Sequence, residues 1–148
     1  MKKLVFAPLA LLFLFACKKE KDEDNNNNNC PVSMASLSGT YKIQSIKYKA
    51  NSAAPEIDVF GTFDDCQKDD LYTLNENGTA TYEDAGVECG VNGDDTGTWS
   101  LSGNTVNISV GGEAITGTLQ SFDCTNLIVV TENYMGPGDK ATFTIRKQ

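Results

Sequence analysis

Histidine does not occur among the 148 residues, which removes the commonest general base and the commonest imidazole metal ligand. Positive charge is scarce: 12 basic residues stand against 20 acidic ones, for a net charge of −8. Such a chain repels phosphate backbones, so nucleic acid is excluded as a partner class. Past the N-terminus no apolar pattern with a helical period of useful length appears, so helices of more than a turn or two are not expected. Long hydrophobic runs are also missing except at residues 1–16, MKKLVFAPLALLFLFA, and that run is too short to cross a bilayer as a helix.

Residues 1–16 carry Lys2 and Lys3 ahead of the apolar run, the pattern of an export signal that is removed from the mature chain. Leu14, Phe15, Ala16 and Cys17 resemble the lipobox of bacterial lipoproteins, where a small residue precedes a cysteine that receives lipid. The resemblance implies Cys17 as lipidation site and new N-terminus, with palmitate-like acyl chains as membrane anchor. Each buried methylene would then contribute about 0.8 kcal/mol of membrane affinity. The rest of residues 17–29, KKEKDEDNNNNN, has no large apolar side chain to offset ordering entropy and reads as a flexible tether. Removal of residues 1–16 takes away Lys2 and Lys3, leaving 10 basic residues against 20 acidic ones and a net charge of −10. Lys21, Asp22, Glu23 and Asp24 resemble the surface-export signal of Bacteroidota lipoproteins. That implies an outer-membrane lipoprotein facing the outside; the alternative is a periplasm-facing one.

With Cys17 lipidated, Cys30, Cys66, Cys89 and Cys124 remain, and four cysteines allow three pairings. Tyr72 and Leu74 alternate with polar neighbours, a turn of Glu76, Asn77 and Gly78 follows, and Ala80 and Tyr82 alternate again. This is a hairpin in which Leu74 faces Ala80 and Tyr72 faces Tyr82. The same register brings Cys66 to within one residue of Cys89, so an oxidising compartment favours that pair. Cys30 is then left to pin the start of the domain to Cys124.

Residues 30–148 suffice for one core and not for two. Residues 37–49 read as a first strand with Tyr41 and Ile43 on one side. Ile57, Val59 and Phe63 suggest a short second one. Gly103 and Asn104 turn a hairpin that sets Leu101 against Val106 and Trp99 against Ile108. Gly111 and Gly112 turn the next, setting Ile108 against Ile115 and Val106 against Gly117, whose missing side chain leaves room for a neighbour such as Trp99. LIVVT at 127–131 and the alternation of Ala141, Phe143 and Ile145 add two more strands. The expected fold is all-β: an antiparallel up-and-down meander closing into an eight-stranded barrel, with a two-sheet β-sandwich as the alternative.

CQKDDLYTLNENGT at 66–79, the second cysteine at Cys89, and GTWSLSGN at 97–104 together resemble the lipocalin-like domain lipoproteins of Bacteroidota. The resemblance covers residues 37–146. Leu37, Gly39 and Tyr41 sit where that family usually shows leucine, glycine and tryptophan, with Tyr41 in the aromatic place. It implies a barrel on a lipid-anchored, exported domain whose ligand is generally unknown.

No catalytic signature stands out, and no cofactor or metal is expected. Glu83, Asp84, Glu88, Asp94 and Asp95 lie in turn-rich stretches and read as solvated surface. Asp64, Asp65, Asp69, Asp70, Asp94 and Asp95 carry hard oxygen atoms suited to calcium, but their spacing matches no EF-hand loop and Cys66 interrupts them. Tyr41, Tyr72, Tyr82, Trp99 and Phe143 fall on inferred inner faces, as core or as the lining of a ligand pocket. The functional reading is therefore a tethered binding protein for a small, apolar ligand. The alternative is a surface module for protein or glycan.

Overall fold

The computed structural model describes residues 30–89 and 93–148; the export signal, Cys17 and the tether lie outside the described residues. Among the described residues nine antiparallel strands form one sheet: β1 (Gly39–Lys49), β2 (Ile57–Asp58), β3 (Leu71–Leu74), β4 (Thr79–Glu83), β5 (Asp95–Ser102), β6 (Thr105–Val110), β7 (Glu113–Phe122), β8 (Asn126–Glu132) and β9 (Lys140–Lys147). From β3 onward each strand pairs with its successor, β3 pairs with the start of β1, and β9 returns to pair with β1. Eight strands thus close into a barrel. The short β2 rides on the far end of β1, at Lys47 and Tyr48.

The hairpin registers follow from the turn residues. Gly78 takes φ +86° and Gly103 φ +58°, conformations open to glycine at no steric cost. Tyr72 consequently faces Tyr82, Trp99 faces Ile108, and Ile108 faces Ile115. Two irregularities reset the alternation. In β1 the register shifts between Ile43 and Ser45, and in β7 between Leu119 and Ser121. Each extra residue, Gln44 and Gln120, rotates the following side chains by one position. As a result Tyr41 and Ile46 are both buried in β1, and Leu119 and Phe122 in β7.

The barrel has two unlike ends. One is closed by α1 (Met34–Leu37), a single turn held by a capping box in which Ser33 and Ser36 bond reciprocally. Its Leu37 drops into the main cluster with Tyr41, Leu74, Ala80, Trp99, Val106, Leu119, Phe122 and Leu127. Each buried leucine, valine or phenylalanine among them contributes about 1.5–3 kcal/mol by leaving water. A smaller cluster of Ile46, Ala141 and Phe143 lies toward the other end, where Val59, Phe60 and Phe63 fold onto it.

A disulfide serves each end. Cys30 joins Cys124 beside α1, across a sequence separation of 94, and Cys66 joins Cys89 at the opposite end, across 23. In the chain-entropy picture these closures are worth roughly 4–5 and roughly 3 kcal/mol. Cys66 sits in α2 (Asp65–Lys68), a single turn capped by Asp64 and Gln67.

Two further local expectations are corrected. Of the second strand only Ile57 and Asp58 pair; Asp58 Oδ1 then accepts the Phe60 N–H, and residues 60–62 coil into a 3-10 turn that stacks Phe60 on Phe63. The gap at Gly117 is taken by Val129 and Thr131 rather than Trp99. A comparable close approach occurs at Gly97, where an added Cβ would collide with the Ser109 carbonyl. Gly97→Ala is expected to lower stability by about 1–3 kcal/mol in a urea melt, whereas Gly61→Ala, in open space, stays within about 0.5 kcal/mol of the parent.

Candidate site at the open end of the barrel

The closed end leaves little polar capacity unused. The Tyr41 hydroxyl donates to the Leu37 carbonyl at 2.6 Å, and burial pushes that phenol up to about 12. Lys147 Nζ donates to the Ser36 carbonyl at 3.1 Å and stands 5.8 Å from the Tyr41 ring centre and 6.0 Å from that of Phe122. The Trp99 indole N–H donates to the Asn75 carbonyl at 2.7 Å. Of the five aromatic residues read as core or pocket lining, Tyr41 and Trp99 therefore sit in the packed core. Their polar atoms are spent on backbone carbonyls.

Phe143 belongs to the smaller cluster toward the other end, whereas Tyr72, opposite Tyr41 in the register, and Tyr82 also pack against the main cluster; that other end is framed by the connections at 50–70, 84–89, 111–112 and 133–139. Tyr72 and Tyr82 pack with ring centres 5.4 Å apart. Phe143 receives Tyr134 edge-on at 5.3 Å. Tyr134 was hidden from sequence reading, because it opens a Gly- and Pro-rich loop and belongs to no alternating pattern. The three tyrosines are neighbours in charge as well as space. Burial is the main reason Tyr72 is pushed up to about 12, with Asp70, Glu113 and Tyr134 adding to it. Tyr134 is raised by burial and then by Glu113.

Carboxylates complete the rim. Asp70, only 5% exposed, accepts the Tyr82 hydroxyl at 2.8 Å on Oδ2, while its Oδ1 is buried without a hydrogen-bond partner among the described residues. Burial raises the Asp70 carboxyl above its ordinary value; hydrogen bonding by the Tyr82 hydroxyl and by the Ala85 backbone N–H works against it, while Asp84 and Asp69 raise it further. Asp139, 3% exposed, accepts from the Tyr48 hydroxyl at 2.9 Å and the Met135 N–H at 3.0 Å, again with Oδ1 unpaired. Its hydrogen bond is the main cause that raises Tyr48. Thr131, on the inward face of β8 with Leu127 and Val129, holds a buried hydroxyl without a partner among the described residues.

The other carboxylates singled out in the sequence are scattered. Asp64, Asp65, Glu83, Glu88 and Asp94 are exposed. Asp69 accepts the Val87 N–H, Asp84 the Cys89 N–H and Asp95 the Gly111 N–H. Among the described residues no three acidic or thiol groups converge as a cation cage. A separate open depression of about 250 Å³ crosses the middle of β5, β6 and β7, lined by Trp99, Ile108, Ile115 and their strand neighbours.

A family model described as a lipocalin-like domain matches residues 37–135. No curated protein and no solved structure matches the chain.

Asp70 is expected to leave a pH signature. A carboxyl raised in the folded state adds stability that is full below its ordinary value of 3.8 and is lost as pH rises through the higher folded value. Asp70→Asn removes that loss. Its Tm should exceed the parent's at pH 7, and the difference should shrink toward pH 4 in differential scanning calorimetry. A constant difference across that range would show that Asp70 does not titrate in this way.

Proposed function

The chain belongs to the lipocalin-like domain family, and from that premise we propose that it is an exported, lipid-anchored binding protein that takes a small, largely apolar ligand at the open end of its barrel. The observation that carries this reading is the contrast between the two ends. At one end Leu37, Tyr41 and Lys147 complete a packed, internally bonded plug. At the other, Tyr72 packs on Tyr82 and Tyr134 on Phe143, and Asp70, Asp139 and Thr131 hold buried polar atoms without a partner among the described residues. Apolar walls with a few unspent polar groups are what a small-molecule site requires.

Lipid attachment at Cys17 keeps the domain at a membrane without any spanning segment, with residues 18–29 as leash. This part of the proposal rests on the N-terminal residues alone and has its own test. The intact mass of mature protein from the outer-membrane fraction should correspond to a chain beginning at an acylated Cys17. An unmodified Cys17, or a different start, would end the anchor.

A second reading, a surface module for protein or glycan, is favoured by apolar side chains exposed on the rim loops: Ile57, Val87 and Met135 are 54%, 61% and 77% exposed. The two readings separate by thermal shift. A ligand that binds only the folded state raises Tm with concentration, by about 2.7 kcal/mol of stabilisation at a hundredfold excess over Kd. A panel of medium-chain lipophilic compounds should contain members that do this for the parent chain and do it less for Tyr134→Ala. If no member shifts Tm while the domain captures a protein or glycan partner, the surface-module reading prevails.

A further inference from the structure

We infer that the ligand seated at the open end carries an ammonium group, so that the site selects organic cations with a short apolar body; this rests on reading the mouth as the binding site. The argument begins from what the chain does with charge at its two ends. At the closed end it supplies its own cation: Lys147 lies over Tyr41 and Phe122 and donates to Ser36. At the open end the carboxylates of Asp69, Asp70, Asp84 and Glu113 form no ion pair among the described residues. The two ion pairs among the described residues, Lys47 with Glu56 and Lys68 with Asp65, involve none of the mouth groups.

The groups left uncompensated have the chemistry of a cation receptor. Asp70 is buried with one oxygen on the Tyr82 hydroxyl and the other unpaired, and Asp69 also holds a buried, unpaired Oδ1. An ionised carboxylate out of water is costly unless an opposite charge or strong donors meet it. Glu113, at the start of β7, bears electrostatically on both Tyr72 and Tyr134. The rings of Tyr72, Tyr82, Tyr134 and Phe143 form two close pairs along this edge. Aromatic faces attract an ammonium group, and more strongly once water is excluded. The unpaired Thr131 hydroxyl, facing inward, offers one more acceptor. An anionic ligand would meet Asp70, Asp69, Asp84 and Glu113, carboxylates that no ion pair neutralises among the described residues.

The test uses three probes that share one chain length and differ in head group: octyltrimethylammonium, octanol and octanoate, titrated calorimetrically into the mature chain. The cationic probe is expected to bind at least tenfold more tightly than either of the others. Glu113→Gln, at an exposed position, should weaken the cationic probe about three- to tenfold and leave octanol unchanged; Asp70→Asn should act in the same direction. If Asp70→Asn does not fold, Glu113→Gln decides alone. Octanol or octanoate binding as tightly as the cation, or an unchanged cation affinity in Glu113→Gln, would overturn the ammonium assignment and leave the mouth as a ligand site. Absence of binding by all three would overturn both.

Discussion

The backbone ladder between β1 and β9, running from Tyr41 opposite Lys147 to Lys49 opposite Lys140, governs the rest of the molecule. Without it the first and last strands would be open edges, and their unpaired amides would invite other chains. With it, every strand's inward face looks across a common interior. The ladder also carries the break at Gln44 that lets Tyr41 and Ile46 share that interior although they are five positions apart. A slip of one residue would turn Ile46 and Phe143 to solvent. Closure therefore sets the core as well as the outline.

Within the closed wall the molecule is polarised along its axis. One end holds the capped turn α1, the larger apolar cluster, a disulfide to Cys124 and a lysine ammonium over two rings. The other holds tyrosines and carboxylates on loops, braced by the Cys66–Cys89 bridge. The two ends are nevertheless joined through the core, since Tyr72 and Tyr82 also pack against the main apolar cluster. A negative, aromatic rim on a chain with a net charge of −8 also draws cations from a distance before any contact is made.

Much of the wall was legible in the residues because its signals are local. The two-residue turn at Gly103 and Asn104, the Gly111–Gly112 turn and the Asn-Gly turn at 77–78 each dictate a register, and the alternating Leu, Trp, Val and Ile around them then choose a face. The missed features depend on distant partners. Gln44 and Gln120 look like ordinary strand residues, and only the opposing strand shows that each is an extra one. Val59 resembles a strand residue, yet Asp58 captures the Phe60 amide and coils the chain instead. For the site, periodicity placed Tyr41 and Trp99 inward as readily as Tyr72 and Phe143; which end each occupies follows from barrel tilt and from α1. Glu113, Asp139 and Tyr134 carried no sequence signal beyond their position beside turns.

Native-state hydrogen exchange of the β1 and β9 amides tests the closed wall most directly. The amides bonded across the β1–β9 seam should exchange as slowly as those between β6 and β7, opening only with global unfolding. Seam amides that exchange orders of magnitude faster, as frayed edges do, would contradict a closed barrel and with it an interior that can receive a ligand.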